Sequence, residues 1–277
     1  MSQILGLTLL ISLMVRTGLE TDARDLLDSL RRIGYVGAAL LTNIVLVPVY
    51  AVGLCRLFSV ATEPAIGVIL MALAPGTPFI VNTAGAKKGG SNASAVQVMV
   101  VLATVSAFSA PLLLNWATPN GTHTSIYPMS IIVKLISMQL VPLAAGVAIA
   151  TLAPNTTKVV KLIFTIAFVA ALIGILITSA PRLYDALLHV AGTNAMTVAL
   201  LTTVAGMATG FFLGGRDPQA RRTLSLATAL RNPGLATTLA GAYFPHSRLA
   251  VLSALAYFLV QVVTVNVAAA LFGRRVT

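Results

Sequence analysis

Apolar residues run along this chain in nine blocks, most of them as long as the roughly 20 residues a helix needs to cross a bilayer. They cover 3–19, 33–57, 61–85, 92–116, 128–152, 157–179, 194–214, 218–244 and 247–272, with the polar residues gathered between them. The first is short, lacks both a basic start and a small-residue cleavage site, and so reads as a span, not a cleavable signal. Between the first two blocks, 20–32 sets its charges on one side and Leu26, Leu27 and Leu30 on the other, which predicts a short helix lying at the interface. The pattern as a whole predicts an all-α polytopic membrane protein with about nine transmembrane helices.

Two of the blocks are interrupted near their middle. In 218–244 the interruption is Arg231-Asn232-Pro233-Gly234; in 61–85 it is Ala74-Pro75-Gly76-Thr77-Pro78. Proline lacks an N–H and clashes with the preceding turn, so each span is expected as two half-helices, kept apart by Pro75, Gly76 and Pro78 in one and by Pro233 and Gly234 in the other. Asn232-Pro233 and Thr77-Pro78 are also start signals, with the side chain capping free amides and proline at the first helical position. Each second half-helix then begins at mid-membrane with its positive dipole end inward, in one case beside the Arg231 guanidinium. The plain alternative is a kinked helix whose arginine is paired with backbone carbonyls. A charge at that depth costs several kcal/mol, however, and marks function by default.

The breaks also repeat. Pro75 and Pro233 lie 158 residues apart, and shifting the chain by that amount lays 3–19 on 161–177, 33–57 on 191–215 and 92–116 on 250–274. Spans one to four match six to nine, an odd offset of five, so the halves cross in opposite directions as an inverted repeat. Span five has no partner because its counterpart would precede residue 1; either an N-terminal helix is missing or the start site is set too late. Two breaks in corresponding positions of inverted halves point to a transporter site, since unwound backbone persists at that depth only beside a cavity or a substrate.

Composition sharpens this. The 277 residues are 57% hydrophobic and 9% charged, against roughly 25% charged in soluble domains. All seven acidic residues lie in connections or at span ends, and the net charge of +11 comes from cations flanking apolar runs, so nucleic acid is not an expected partner. Twelve Lys and Arg, among them Lys87, Lys88, Lys158, Arg221, Arg222 and Arg274, fall on one side; Arg56, Arg182 and Arg248 fall on the other. That bias predicts an integral protein of the cell (inner, plasma) membrane with the C-terminus cytoplasmic and the N-terminus outside. Arg16 and Lys134 lie near span ends and can snorkel; Arg231 is too central.

Other chemistries lack their residues. There is no intramembrane aspartate pair, no His-Glu-x-x-His, and no histidine within a span to activate a serine or relay a proton, since His123, His189 and His246 lie in connections. One cysteine, Cys55, excludes an internal disulfide and a cysteine metal cluster. The Gly-rich 85–90 stretch lacks P-loop spacing, and Asn120-Gly121-Thr122 is a weak glycosylation pattern. The chain is not expected to be an enzyme.

Several motifs, in their order, resemble the bile acid:sodium symporter family. The PGTP break followed by Ala86-Lys87-Lys88-Gly89-Gly90 and a Ser94-containing helix is similar to that family's fourth and fifth helices. ALRNPGLATTLAGAYF resembles its ninth, and Thr42-Asn43-Ile44-Val45-Leu46-Val47-Pro48 its third. The resemblance covers almost the whole chain apart from the family's first helix. It implies a core subdomain, 33–116 and 190–272, that moves against a panel subdomain, 1–32 and 128–180, and the carriage of organic anions, typically with sodium. The sequence departs at the sodium ligands: the family's ninth-helix Glu and Gln are Ala227 and Arg231 here, a Ser-Asn pair is Ile80-Val81, and a Thr is Val98. Ser94, Asn232 and a Gln-like Asn43 remain as residual metal-site candidates, a poor set for a hard cation.

The expected function is therefore secondary transport of small organic anions, carboxylate or bile-acid-like, by alternating access, with no cofactor and with the guanidinium supplying the charge that sodium supplies in relatives. An ordinary sodium-dependent symporter and a non-transporting sensor on the same scaffold stay open as alternatives. Auxin-efflux-type and arsenite-type carriers share the broken-helix plan; the latter carries its reactive cysteine on the broken helix, where this chain has none. The substrate-binding candidates are Arg231 as anion partner, Asn232 and Thr77 as caps presenting amides, and Asn43, Thr228 and Thr237 as polar lining. The lipid bilayer is the other expected partner; substrate identity, coupling ion and oligomeric state are not legible.

Overall fold

In lipid every backbone group must find its partner within the protein, and a chain of apolar blocks meets that demand by coiling into helices. The computed structural model describes residues 2–21, 32–77, 79–85, 89–117 and 128–273, and the described regular structure is helical. In chain order the elements are α1 (Ser2–Leu19), α2 (Ile33–Leu57), α3 (Thr62–Ala72), α4 (Phe79–Ala84), α5 (Asn92–Ala117), α6 (Pro128–Leu152), α7 (Thr157–Val190), α8 (Ala195–Leu213), α9 (Pro218–Ala229), α10 (Pro233–Tyr243) and α11 (Arg248–Gly273). Among the described residues five helices, within α2, α5, α6, α8 and α11, are long and apolar enough to cross a membrane, and this is an integral membrane protein. The two interrupted blocks are halved as expected, into α3 with α4 and α9 with α10.

Other expectations are adjusted. The seventh helix continues well past 179, to Val190, because Leu183, Leu187 and Leu188 prolong the apolar spacing, and it does so with Pro181 inside it. The interfacial helix expected at 20–32, the basic turn at 86–88, Pro78 and the Asn120 pattern lie largely or wholly outside the described residues. Arg16 pairs with Glu20 at 3.4 Å, and Glu20 also meets Lys161 at 2.9 Å, tying the end of α1 to the start of α7.

α1 packs against α6 and α7, while α8, α9 and α11 pack together with α2 and α3. Without a hydrophobic driving force between helices in lipid, close approach through small residues sets these contacts. A side chain on Gly18 would strike the α6 backbone at Leu143 and Gly146, and one on Gly67 would strike α11 at Ala250 and Ser253.

Two buried apolar clusters fill the interior, and a polar layer separates them. One contains Val47, Leu73, Ala74, Ala107, Leu135, Leu235 and Tyr257; the other contains Ala39, Ile80, Leu102, Leu143, Leu230 and Val265. Each of these helices passes from one cluster to the other through a buried polar residue or a break. Asn43 lies between Ala39 and Val47, Ser106 between Leu102 and Ala107, Gln139 between Leu135 and Leu143, and Gln261 between Tyr257 and Val265. The breaks fall at the same level, between Ala74 and Ile80 and between Leu230 and Leu235.

Gly76 fixes the first break. Its φ is +81°, and a Cβ there would meet the backbone of Leu102 and Ala103 on α5. Left-handed backbone and close approach both demand glycine. Gly76→Ala is expected to cost on the order of 1–3 kcal/mol, read as a lower unfolding temperature of the detergent-purified protein.

Candidate functional site at the crossing of the two breaks

The second break is short and extended. Leu230 (φ −82°, ψ 112°) and Asn232 (φ −94°, ψ 100°) have left helical geometry, and the Asn232 side chain caps α10 by accepting from the N–H groups of Gly234 (3.0 Å) and Leu235 (3.2 Å). In extended backbone one residue's N–H and C=O point to the same side and the next residue's N–H points to the other. Arg231 uses its side to meet Gln261: its N–H donates to Oε1 at 2.9 Å, and its carbonyl accepts from Nε2 at 3.0 Å. The Asn232 N–H, facing the other way, donates to the Ala74 carbonyl at 2.7 Å. That single bond joins the two breaks, so the unwound segments meet.

The first break is closed differently from the expectation. The sequence predicts that Thr77 caps α4 with its hydroxyl; instead its backbone carbonyl accepts from the Ile80 N–H at 3.1 Å, and Oγ1 is buried without a partner among the described residues. A backbone turn has taken the amide that the side chain would have capped.

The Arg231 side chain is fully buried and reaches α2, where Leu41–Leu46 is a π-turn. There the Val47 N–H donates to Thr42, five residues back. In the same register the Asn43 carbonyl would await Pro48, which has no N–H. The carbonyl so freed accepts from Arg231 Nη1 at 3.3 Å. Asn43 Nδ2, with two hydrogens, has three acceptors in reach, the Ala39 carbonyl (2.9 Å), Thr42 Oγ1 (3.1 Å) and Thr228 Oγ1 (3.2 Å), and Thr228 donates to the Leu224 carbonyl at 2.7 Å.

Most of the guanidinium is left unsatisfied. Nε and Nη2 have no partner among the described residues, and neither do Asn43 Oδ1 and Asn232 Nδ2. Nε–H and the Nη2–H beside it lie parallel on one edge of the guanidinium, spaced like the two oxygens of a carboxylate. A buried charge holding one carbonyl contact among the described residues is costly, and an anion on that edge would offset the cost.

The remaining candidates divide. Asn43, Thr228, Arg231 and Asn232 come together, and Gly234 supplies an amide to the cap. Thr237, one turn into α10, turns its hydroxyl back to Pro233 (2.7 Å) and Gly234 (3.2 Å). Ser94 belongs elsewhere: it precedes Ser106 by twelve residues on α5, about 18 Å along the helix from the polar layer. The three residual sodium candidates therefore do not converge, and Asn43 faces a guanidinium. Gln261 escaped the sequence reading, as did the parts played by the Ala74 carbonyl and Pro48. Gln261 lies in an unbroken apolar run, and the other two act through backbone groups that no side-chain motif reports. A cavity of about 180 Å³ lies at the far end of α2, lined by Cys55, Arg56, Ser59, Thr62 and Ile69 among others, about 18 Å along the helix from Asn43.

A family model described as "Sodium Bile acid symporter family" matches residues 7–184, well over half of the chain. The match takes in the first break and ends before α8, so Arg231 lies beyond it. The chain matches no curated protein.

Proposed function

This chain belongs to the sodium bile acid symporter family, and from that premise we propose that it is a secondary carrier of small organic anions in which Arg231 takes the place of sodium. The family's members are transporters, so the polar layer is read as a site of passage and not of catalysis. One observation carries the reading: a fully buried guanidinium stands at the meeting of the two breaks, and its Nε–Nη2 edge has no partner among the described residues. A substrate carboxylate fits that edge as a bidentate, charge-assisted pair. The Asn232 Nδ2 donor, also free, is a third contact of the right sign.

The same geometry argues against a cation at Asn43. Arg231 Nη1 is 3.3 Å from the Asn43 carbonyl, so an ion there would be repelled at short range by a permanent charge. In this reading α1, α6 and α7 form the panel, the broken helices and their neighbours move against it, and the C-terminus is cytoplasmic. In liposomes containing the purified protein, uptake of labelled cholate, benzoate and lactate is expected to survive complete replacement of sodium by choline. Strict dependence on sodium returns the chain to an ordinary symporter; binding without any flux makes it a sensor.

A further inference from the structure

Resting on that reading, we infer that Gln139 of α6 is a substrate-binding residue, contributed to the site from across the interface opposite the broken helices. Gln139 is fully buried, and neither Oε1 nor Nε2 has a hydrogen-bond partner among the described residues. A carboxamide has one acceptor and two donors to satisfy, and burying it with none of them met is unfavourable beside an apolar residue of similar size. Such a group persists where something else completes its bonds.

Its position says what that is. Leu135 and Leu143 lie four residues to either side of Gln139, on the same face of the helix. Leu135 belongs to the cluster containing Ala107, Leu235 and Leu239, and Leu143 to the one containing Ile80, Leu102 and Leu230. Gln139 thus faces the broken-helix elements at the level dividing the clusters, the level of both breaks. Thr77 Oγ1 and Asn232 Nδ2, which also have no partner among the described residues, belong to the two breaks in that layer. Arg231 and Asn232 offer only donors to a ligand's carboxylate, whereas Gln139 offers both a donor and an acceptor. It therefore suits the carboxylate's second oxygen or a hydroxyl beside it. α6 packs with α1 and also touches α5 and α10, so a ligand held by both Gln139 and Arg231 would bridge the two packing groups.

The test separates this role from a structural one by the sign of two effects. Gln139→Leu removes an unsatisfied carboxamide, so the purified, ligand-free protein should unfold a few °C higher. In liposomes the same variant should show a KM for the carried carboxylate about tenfold higher or more, and Gln139→Met should behave alike. A lower unfolding temperature for both variants would mean the carboxamide is a structural partner and would overturn the assignment. So would an unchanged KM in variants of a wild type that carries the probe. If the wild type carries none of cholate, benzoate and lactate, the carrier reading fails first, and this inference with it.

Discussion

Arg231→Gln is expected to reduce carboxylate uptake by about two orders of magnitude or more while leaving the protein folded. Two charge-assisted hydrogen bonds in a buried site, at about 1.5–3 kcal/mol each, account for that factor. The variant shortens a fully buried side chain but sheds a buried charge whose contact within the described protein is one 3.3 Å bond to the Asn43 carbonyl. Its unfolding temperature should therefore hold or rise, a combination that a structural arginine cannot give. Arg231→Lys separates charge from shape: the ammonium keeps the charge but cannot present two parallel donors, so affinity should fall to an intermediate value. Uptake by Arg231→Gln at the wild-type rate would leave the guanidinium a structural group.

The second large effect is a change of coupling. Ala227 is fully buried one turn before the break, at the position where the family resemblance sets a glutamate, and Arg231 is where it sets a glutamine. Ala227→Glu alone places a carboxylate within reach of the free guanidinium edge; the internal pair should block the substrate and nearly abolish uptake. Ala227→Glu combined with Arg231→Gln removes the fixed cation and restores a carboxylate ligand for a hard ion. Uptake should return in sodium and vanish in choline. A double variant that stays inactive in sodium, or works equally without it, argues that the two positions do not exchange one cation for the other.

How much of this was legible in the sequence depends on which groups carry it. The breaks were readable because proline and glycine mark backbone failure directly, and Asn232-Pro233 announced a cap that the structure forms with both expected amides. Arg231 was readable because a charge among apolar residues is costly and marks function by default. The Thr77 cap misled because a hydroxyl before proline competes with a backbone turn, and here the turn took the Ile80 amide. The clamp on Arg231 was hidden in Gln261, a lone polar residue in a long apolar helix, whose meaning depends on a partner 30 residues away. The carbonyl that holds the guanidinium was hidden further, in a π-turn whose register decides which oxygen Pro48 leaves free. Packing brings these groups together, and packing has no local signature.

The sign of the transport current tests the central claim most directly. With protein-containing liposomes on a capacitive electrode, a jump in benzoate concentration in choline medium should move net negative charge inward, because the carboxylate travels against a guanidinium that never leaves the protein. Arg231→Gln should silence that current. A wild-type current that is absent without sodium and positive with it would contradict the account, since sodium, and not Arg231, would then be balancing the anion.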